Sequence, residues 1–184
     1  MQFTVLDIGG GFPVGHRTDV ESIEQIANAL RPMLELRAAG VRIIAEPGRV
    51  LVADAITLVS RVLGVRDRDR EAWCFIDDGV YGSYSTVMTE TVHPVIVSRA
   101  ELDGHASVLV STTVGGCTGD CADVVARRYP LPRLCEGDLL LSPSMGAYTS
   151  VTATPFSGRR PAKLIRLERA AAAQREEAVI LATH

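Results

Sequence analysis

The chain has 184 residues, of which 47% are hydrophobic, 22% charged and 5% aromatic, and its net charge is −3. That length suits one ordinary domain or pieces of two, with enough apolar material for a core, and the charge gives no sign of a nucleic-acid footprint or a polybasic membrane anchor. The basic residues divide into 18 arginines and one lysine, Lys163, so chemistry that needs a lysine amine must use Lys163 or do without.

No apolar run is long enough for a transmembrane helix, so no membrane span is expected. The opening Met1-Gln2-Phe3-Thr4-Val5-Leu6-Asp7 lacks the basic start of a signal peptide and meets an acid early. Cys74, Cys117, Cys121 and Cys135 are too sparse for a disulfide scaffold. With the four histidines scattered, no zinc spacing emerges and no metal site is expected. A cytoplasmic protein with reduced thiols is the expectation.

In chain order, residues 3–8 read as a short buried strand that runs into Gly9-Gly10-Gly11. Thr18 and Glu21 form a capping-box pair for a helix with apolar residues at Ile23, Ile26, Ala27, Leu30, Met33 and Leu34, kinked by Pro32. Gly40 ends it, and residues 41–45 form a second buried strand. Strand, helix, strand is a βαβ unit with parallel strands. After residue 50, short apolar or β-branched runs recur at 56–64, 73–77, 94–97, 107–113, 138–142 and 162–167, with one helical stretch near 120–128. That texture predicts a β-rich domain, with the boundary near residues 49–55 and a helical or frayed tail over 168–184. Two parallel strands alone leave both edges open, so the unit looks like the end of a larger α/β domain.

Two segments carry chemistry. Gly9-Gly10-Gly11-Phe12-Pro13 follows a strand, and its free backbone N–H groups suit a phosphate cradle, although such a triplet taken alone is more often a tight turn. The dinucleotide pattern fails because Val14 stands where a third glycine or alanine belongs. Glu46-Pro47-Gly48-Arg49 follows the next strand, so both segments face one rim, where ligands of α/β folds sit. Arginine suits a phosphate through its planar donors, and a carboxylate there could keep a ring nitrogen protonated. A plain Glu–Arg surface pair is the alternative.

With Leu6-Asp7-Ile8-Gly9-Gly10-Gly11-Phe12-Pro13, Glu46-Pro47-Gly48-Arg49, Asp78-Gly79-Val80-Tyr81-Gly82-Ser83 and Met145-Gly146-Ala147-Tyr148-Thr149 in this order, the chain resembles the ornithine/diaminopimelate/arginine decarboxylases over residues 3–167, and the ornithine branch most. These are pyridoxal-phosphate enzymes with an alanine-racemase-like fold. The resemblance implies an α/β plus all-β architecture. Residues 1–52 would be the last βαβ unit of a (β/α)8 barrel, and 53–167 a β-rich C-terminal decarboxylase domain. It implies that Gly10, Gly11, Arg49 and Tyr148 bind the phosphate of pyridoxal 5'-phosphate, within a cofactor segment that includes Pro47 and Gly48, and that Glu46 pairs with the pyridine nitrogen. In the family a Cys-Asp pair from the partner subunit protonates the α-carbon and holds the substrate's distal ammonium.

The pattern departs at Gly115-Gly116-Cys117-Thr118-Gly119-Asp120-Cys121-Ala122-Asp123, which carries one residue more than the family's stretch. Anchored on the Asp-x-x-Asp, Asp120 takes the acidic position and Gly119 falls where cysteine is expected; anchored on the upstream glycine, Cys117 falls one residue before that position. Cys117 is the candidate proton donor and Cys121 the reserve, with a structural thiol the alternative for either. The other substrate acid falls at Glu90, after Thr89. Glu90 and Asp120 favour a small basic amino acid such as ornithine or lysine.

The family's cofactor-bearing lysine belongs to an early barrel strand, whereas Lys163 opens the expected final strand of the β domain. A full barrel takes about 250 residues. The expectation is therefore the C-terminal part of a decarboxylase, inactive alone and pairing as a homodimer or with a barrel-containing chain. A non-catalytic regulatory partner docking on an intact paralogue is the alternative, and a ligand-free relic the third reading.

Overall fold

The computed structural model describes residues 3–15, 20–33, 40–68, 71–90, 93–105 and 108–167. Thr18, part of the expected helix and the expected tail over 168–184 lie outside them.

Strand β1 (Val5–Asp7) pairs in parallel with β2 (Arg42–Ile44), with Leu6 opposite Ile43. Between them runs helix α1 (Ile23–Leu30), which completes the expected βαβ unit. The helix starts later than the Thr18–Glu21 pair implied. Ser22 is its N-cap, its hydroxyl accepting from the Gln25 N–H while the Gln25 side chain accepts from the Ser22 N–H. Four residues separate the two candidate boxes, and Ser22 borders the first apolar turn directly. At Arg31–Met33 the α-helix tightens to a 3₁₀ turn, as the missing N–H of Pro32 requires. No residue of α1 is buried, and Val5 and Ile23 are 42% and 47% exposed.

Helix α2 (Arg49–Val52) and a 3₁₀ turn (Ala53–Ala55) lead into a six-stranded mixed sheet. Its strands are β3 (Leu58–Arg68), β4 (Glu71–Ile76), β5 (Val97–Ser98), β6 (Leu109–Gly115), β7 (Val124–Pro132) and β8 (Leu139–Ser142), in the order β5-β8-β3-β4-β6-β7. All neighbours are antiparallel except β4 and β6. Leu58, Ser60 and Val62 alternate inward on β3, the period of a half-buried strand. They meet Cys74, Ile76, Val114, Val125, Leu131 and Leu140 in the core. Tyr84 fills its centre, its hydroxyl 2.9 Å from Ser142 Oγ and 3.5 Å from Ser60 Oγ, which explains two buried serines.

Further sequence expectations fail here, first that of buried strands at 3–8 and 41–45, since no residue of β1 or β2 is buried. The stretch 120–128 is not a helix: it is a turn followed by β7. Thr112 pairs with Tyr129 and Val114 with Ala126, so Arg127 and Arg128 together oppose a single residue of β6. This β-bulge, with Arg128 at φ 50°, places Val125, Ala126 and Tyr129 inside, a spacing that mimics a helix. Nor do residues 162–167 form a strand. They are exposed and without a ladder, since neither β5 nor β7 pairs with them, so Lys163 opens no strand. The run at 94–97 shrinks to the two residues of β5.

Candidate functional site

The ends of β1 and β2 are locked together. Ile8 N–H donates to the Ile44 carbonyl at 2.9 Å and Glu46 N–H to the Gly9 carbonyl at 2.8 Å. Gly9 N–H is drawn back onto Asp7 Oδ1 at 2.8 Å. Gly9 and Gly11 hold φ of 69° and 76°, where a side chain is strained. A Cβ on Gly10 would overlap the Glu46 carbonyl oxygen. The glycine loop and the Glu46 segment are thus one packed unit.

Arg49 begins α2, and the Met145–Thr149 segment docks against the same helix. Met145 N–H donates to the Ile56 carbonyl at 2.9 Å and Gly146 N–H to the Ala53 carbonyl at 2.8 Å. A Cβ on Gly146 would overlap the Val52 carbonyl, so only glycine permits this approach. It delivers Tyr148, at φ 55°, to Arg49, whose guanidinium carbon lies 5.2 Å from the ring centroid. The result is a cleft of about 1120 Å³ walled by Gly10, Gly11, Glu46, Gly48, Arg49 and Tyr148. Pro47 is not among the lining residues. His93, Arg127 and Arg128 are. Sequence reading missed the two arginines because the bulge that aims them was taken for helix.

Glu90 also lines the cleft, at the C-terminal end of helix α3 (Thr86–Thr89). Both its carboxylate oxygens accept from Arg49 Nη2 at 2.6 Å. The side chains of Arg49 and Glu90 are 16% and 34% exposed. The two segments that carry Arg49 and Glu90 are therefore joined by charge.

The remaining candidates gather elsewhere. The Tyr81 hydroxyl donates to Asp120 Oδ2 at 2.5 Å, and the Tyr81 ring stacks on Phe156 at 4.2 Å between centroids. Ala122 N–H donates to Asp120 Oδ1 at 2.9 Å. The backbone bond first, then the Tyr81 bond and a smaller contribution from Cys121, hold the Asp120 carboxyl below the usual carboxylate range, and the carboxylate in turn pushes the Tyr81 phenol up. Cys117 is half-buried, its thiol donating to the Asp77 carbonyl at 3.5 Å, with Arg159 donating to its own carbonyl at 3.1 Å. Burial pushes this thiol up against the opposing pull of Arg159. Cys121 is exposed. None of Cys117, Asp120 and Cys121 lines the cleft, so these residues form a second cluster outside the cleft wall. Tyr81 lies inside a motif read from the sequence but was given no role there; Phe156 had no signal at all.

Behind the second cluster sits Asp123. It accepts from Val80 N–H at 2.9 Å, Thr118 N–H at 3.0 Å and the Thr118 hydroxyl at 2.6 Å, and is buried. The Asp-x-x-Asp is therefore a turn and not part of a helix, with one half-buried acid and one buried hub.

The family model for the pyridoxal-dependent decarboxylase C-terminal sheet domain matches residues 3–146. The chain belongs to the pyridoxal-dependent decarboxylases. Within this family it is 38% identical over 165 residues to a chloroplastic ornithine decarboxylase of Nicotiana glutinosa, covering 85% of this chain and 37% of that one. It is 34% identical to antizyme inhibitor 2 of Xenopus laevis, covering 84% and 37%. The solved lysine/ornithine decarboxylase of Vibrio vulnificus, complexed with putrescine, superposes with a TM-score of 0.79 at 38% identity, over 89% of this chain and 44% of that one. The chain thus spans 37% of the length of these curated relatives, and its mixed sheet agrees with the family description of a C-terminal sheet domain. Among the described residues no helix is long and apolar enough to cross a membrane.

Proposed function

We propose that these residues form one part of the active site of a pyridoxal-phosphate decarboxylase acting on a basic amino acid such as lysine or ornithine. The carrying observation is the convergence of Gly10, Gly11, Glu46, Arg49 and Tyr148 on one cleft. They fit the cofactor: Gly10 offers backbone where a Cβ would collide, Arg49 and Tyr148 offer a planar cation and a phenol for a phosphate, and Glu46 offers a carboxylate for a ring nitrogen. The bound ring supplies the electron sink for the pair left when carbon dioxide departs. The protein's own residues bind and orient it, and Glu46 keeps its ring nitrogen protonated.

On this reading residues 1–52 are the last βαβ unit of an alanine-racemase-like barrel and 53–167 the β-rich domain. The lysine that carries the cofactor comes from polypeptide outside these 184 residues, because Lys163 is exposed and not part of the cleft wall. The chain alone is inactive. The separate Cys117–Asp120 cluster serves the cleft of a second subunit, where Cys117 returns a proton and Asp120 holds a distal ammonium; this places the site at an interface between subunits. A cytoplasmic location goes with it.

The test is complementation. Co-expression with the remaining N-terminal part of a relative should restore carbon dioxide release from lysine or ornithine, and Glu46→Ala in this chain should abolish it. Assembly of the two chains without activity overturns the proposal. A second reading, a non-catalytic partner of an intact decarboxylase, is favoured by the relative named as an inhibitor and by Gly119 at the position where the family carries cysteine. It predicts that the chain binds an intact relative and changes its rate.

A further inference from the structure

We infer that Glu90 is the built-in counter-ion of Arg49, and that a phosphate monoester entering the cleft must compete with it for the guanidinium charge, so that this carboxylate sets the affinity of the anion cradle. The inference rests on the cofactor reading above and deepens it.

Both oxygens of Glu90 converge on one nitrogen, Arg49 Nη2, at 2.6 Å, the short charge-assisted contact that a phosphate oxygen would otherwise make. The guanidinium carbon also lies over the Tyr148 ring, 5.2 Å from its centroid. The partners are mostly shielded from water, which strengthens an ion pair relative to a solvated one. Glu90 is also held in place from its own side, its N–H donating to the Thr86 carbonyl at 2.8 Å. An anion arriving at Gly10 and Gly11 therefore meets an arginine already neutralised. A carboxylate so engaged is not free to hold a substrate ammonium, which separates the role of Glu90 from that of Asp120, whose partners are a phenol and a backbone amide.

The experiment titrates the chain with pyridoxal 5'-phosphate and, separately, with inorganic phosphate, by calorimetry. Glu90→Gln should bind both about threefold to fivefold tighter than wild type, the range expected for releasing a partly shielded ion pair. Glu90→Asp, one methylene shorter, should fall between, and it keeps the test open if the glutamine variant does not fold. Arg49→Ala should bind neither ligand. Binding by Glu90→Gln that equals or falls below wild type, with Arg49→Ala still deficient, overturns the counter-ion role and leaves the cradle standing. No binding by any variant overturns both.

Discussion

The Asp123 carboxylate occupies the space where Gly79 and Gly116 would each carry a Cβ. Two glycines from different segments are thus kept bare by one buried acid, which in return caps Val80 N–H and both donors of Thr118. Gly116→Ala should lower stability by about 2–3 kcal/mol through this overlap. Asp123→Ala should cost about 2–4 kcal/mol by leaving three donors without their acceptor. Each kilocalorie lowers the melting temperature by about 2–4 °C in a chain of this size. Melting curves within a degree of wild type for both variants would remove Asp123 as the hub.

A second prediction concerns Tyr81. Its hydroxyl is one of the donors that hold Asp120 below the ordinary carboxylate range, Ala122 N–H being the largest and Cys121 a smaller one. Tyr81→Phe keeps the stack on Phe156 but removes that donor, so Asp120 should titrate higher, though still below its ordinary value. Asp120 is a depressed acid, so its contribution to stability is present above its unfolded value and is lost as pH falls through the folded one. The variant should lose it at a higher pH. Carboxyl carbon NMR of Asp120 measures the change directly, and an unaltered titration would mean that the hydroxyl does not hold Asp120 in solution.

Much of this was legible in the sequence where a local rule decides alone. The βαβ unit, the turn glycines and the segments around Glu46, Arg49 and Tyr148 follow from apolar runs ended by residues with special backbone needs. The misreadings have a common physical origin in contacts distant along the chain. Arg127 and Arg128 bulge only because β6 pairs on both sides of them. Ser22 and Gln25 form the capping box, a pair that residue type alone does not separate from Thr18 and Glu21. The pairing of Arg49 with Glu90 spans 41 residues and joins two motifs that a linear reading assigned to different ligands. The run at 162–167 has strand composition but finds no partner among the described strands, and composition alone cannot supply one.

A third prediction orders the thiols. Cys121 and Cys135 are exposed, Cys117 is half-buried with its thiol pushed up by burial, and Cys74 is buried in the core and pushed up to about 12. Since the thiolate is the reactive form, iodoacetamide at neutral pH should modify Cys121 and Cys135 first, Cys117 slowly and Cys74 only on unfolding. Peptide mass spectrometry against time reads this order. Early modification of Cys117 would show an activated thiolate, and would end its assignment as a resting proton donor.

The last prediction follows from the two buried acids of the core. Burial raises the Cys74 thiol from 9.0 to about 12 and the Tyr84 phenol from 10.0 to about 12, the latter despite its bonds to Ser142 and Ser60. Both groups are neutral in folded and unfolded chain at pH 7, so their contribution is then fully present. Above pH 9 the unfolded chain begins to lose the Cys74 proton, and above pH 10 the Tyr84 proton, while the fold retains both until about 12. Stability must fall over that window, by at most about 1.4 kcal/mol per pH unit for each group, and level off beyond it. Urea midpoints between pH 8 and 12 measure this. Cys74→Ala should flatten the decline that starts near pH 9, and Tyr84→Phe the part that starts near pH 10, each lowering the midpoint at neutral pH through the lost packing or hydrogen bond. A decline that both variants retain in full would place its origin outside the core.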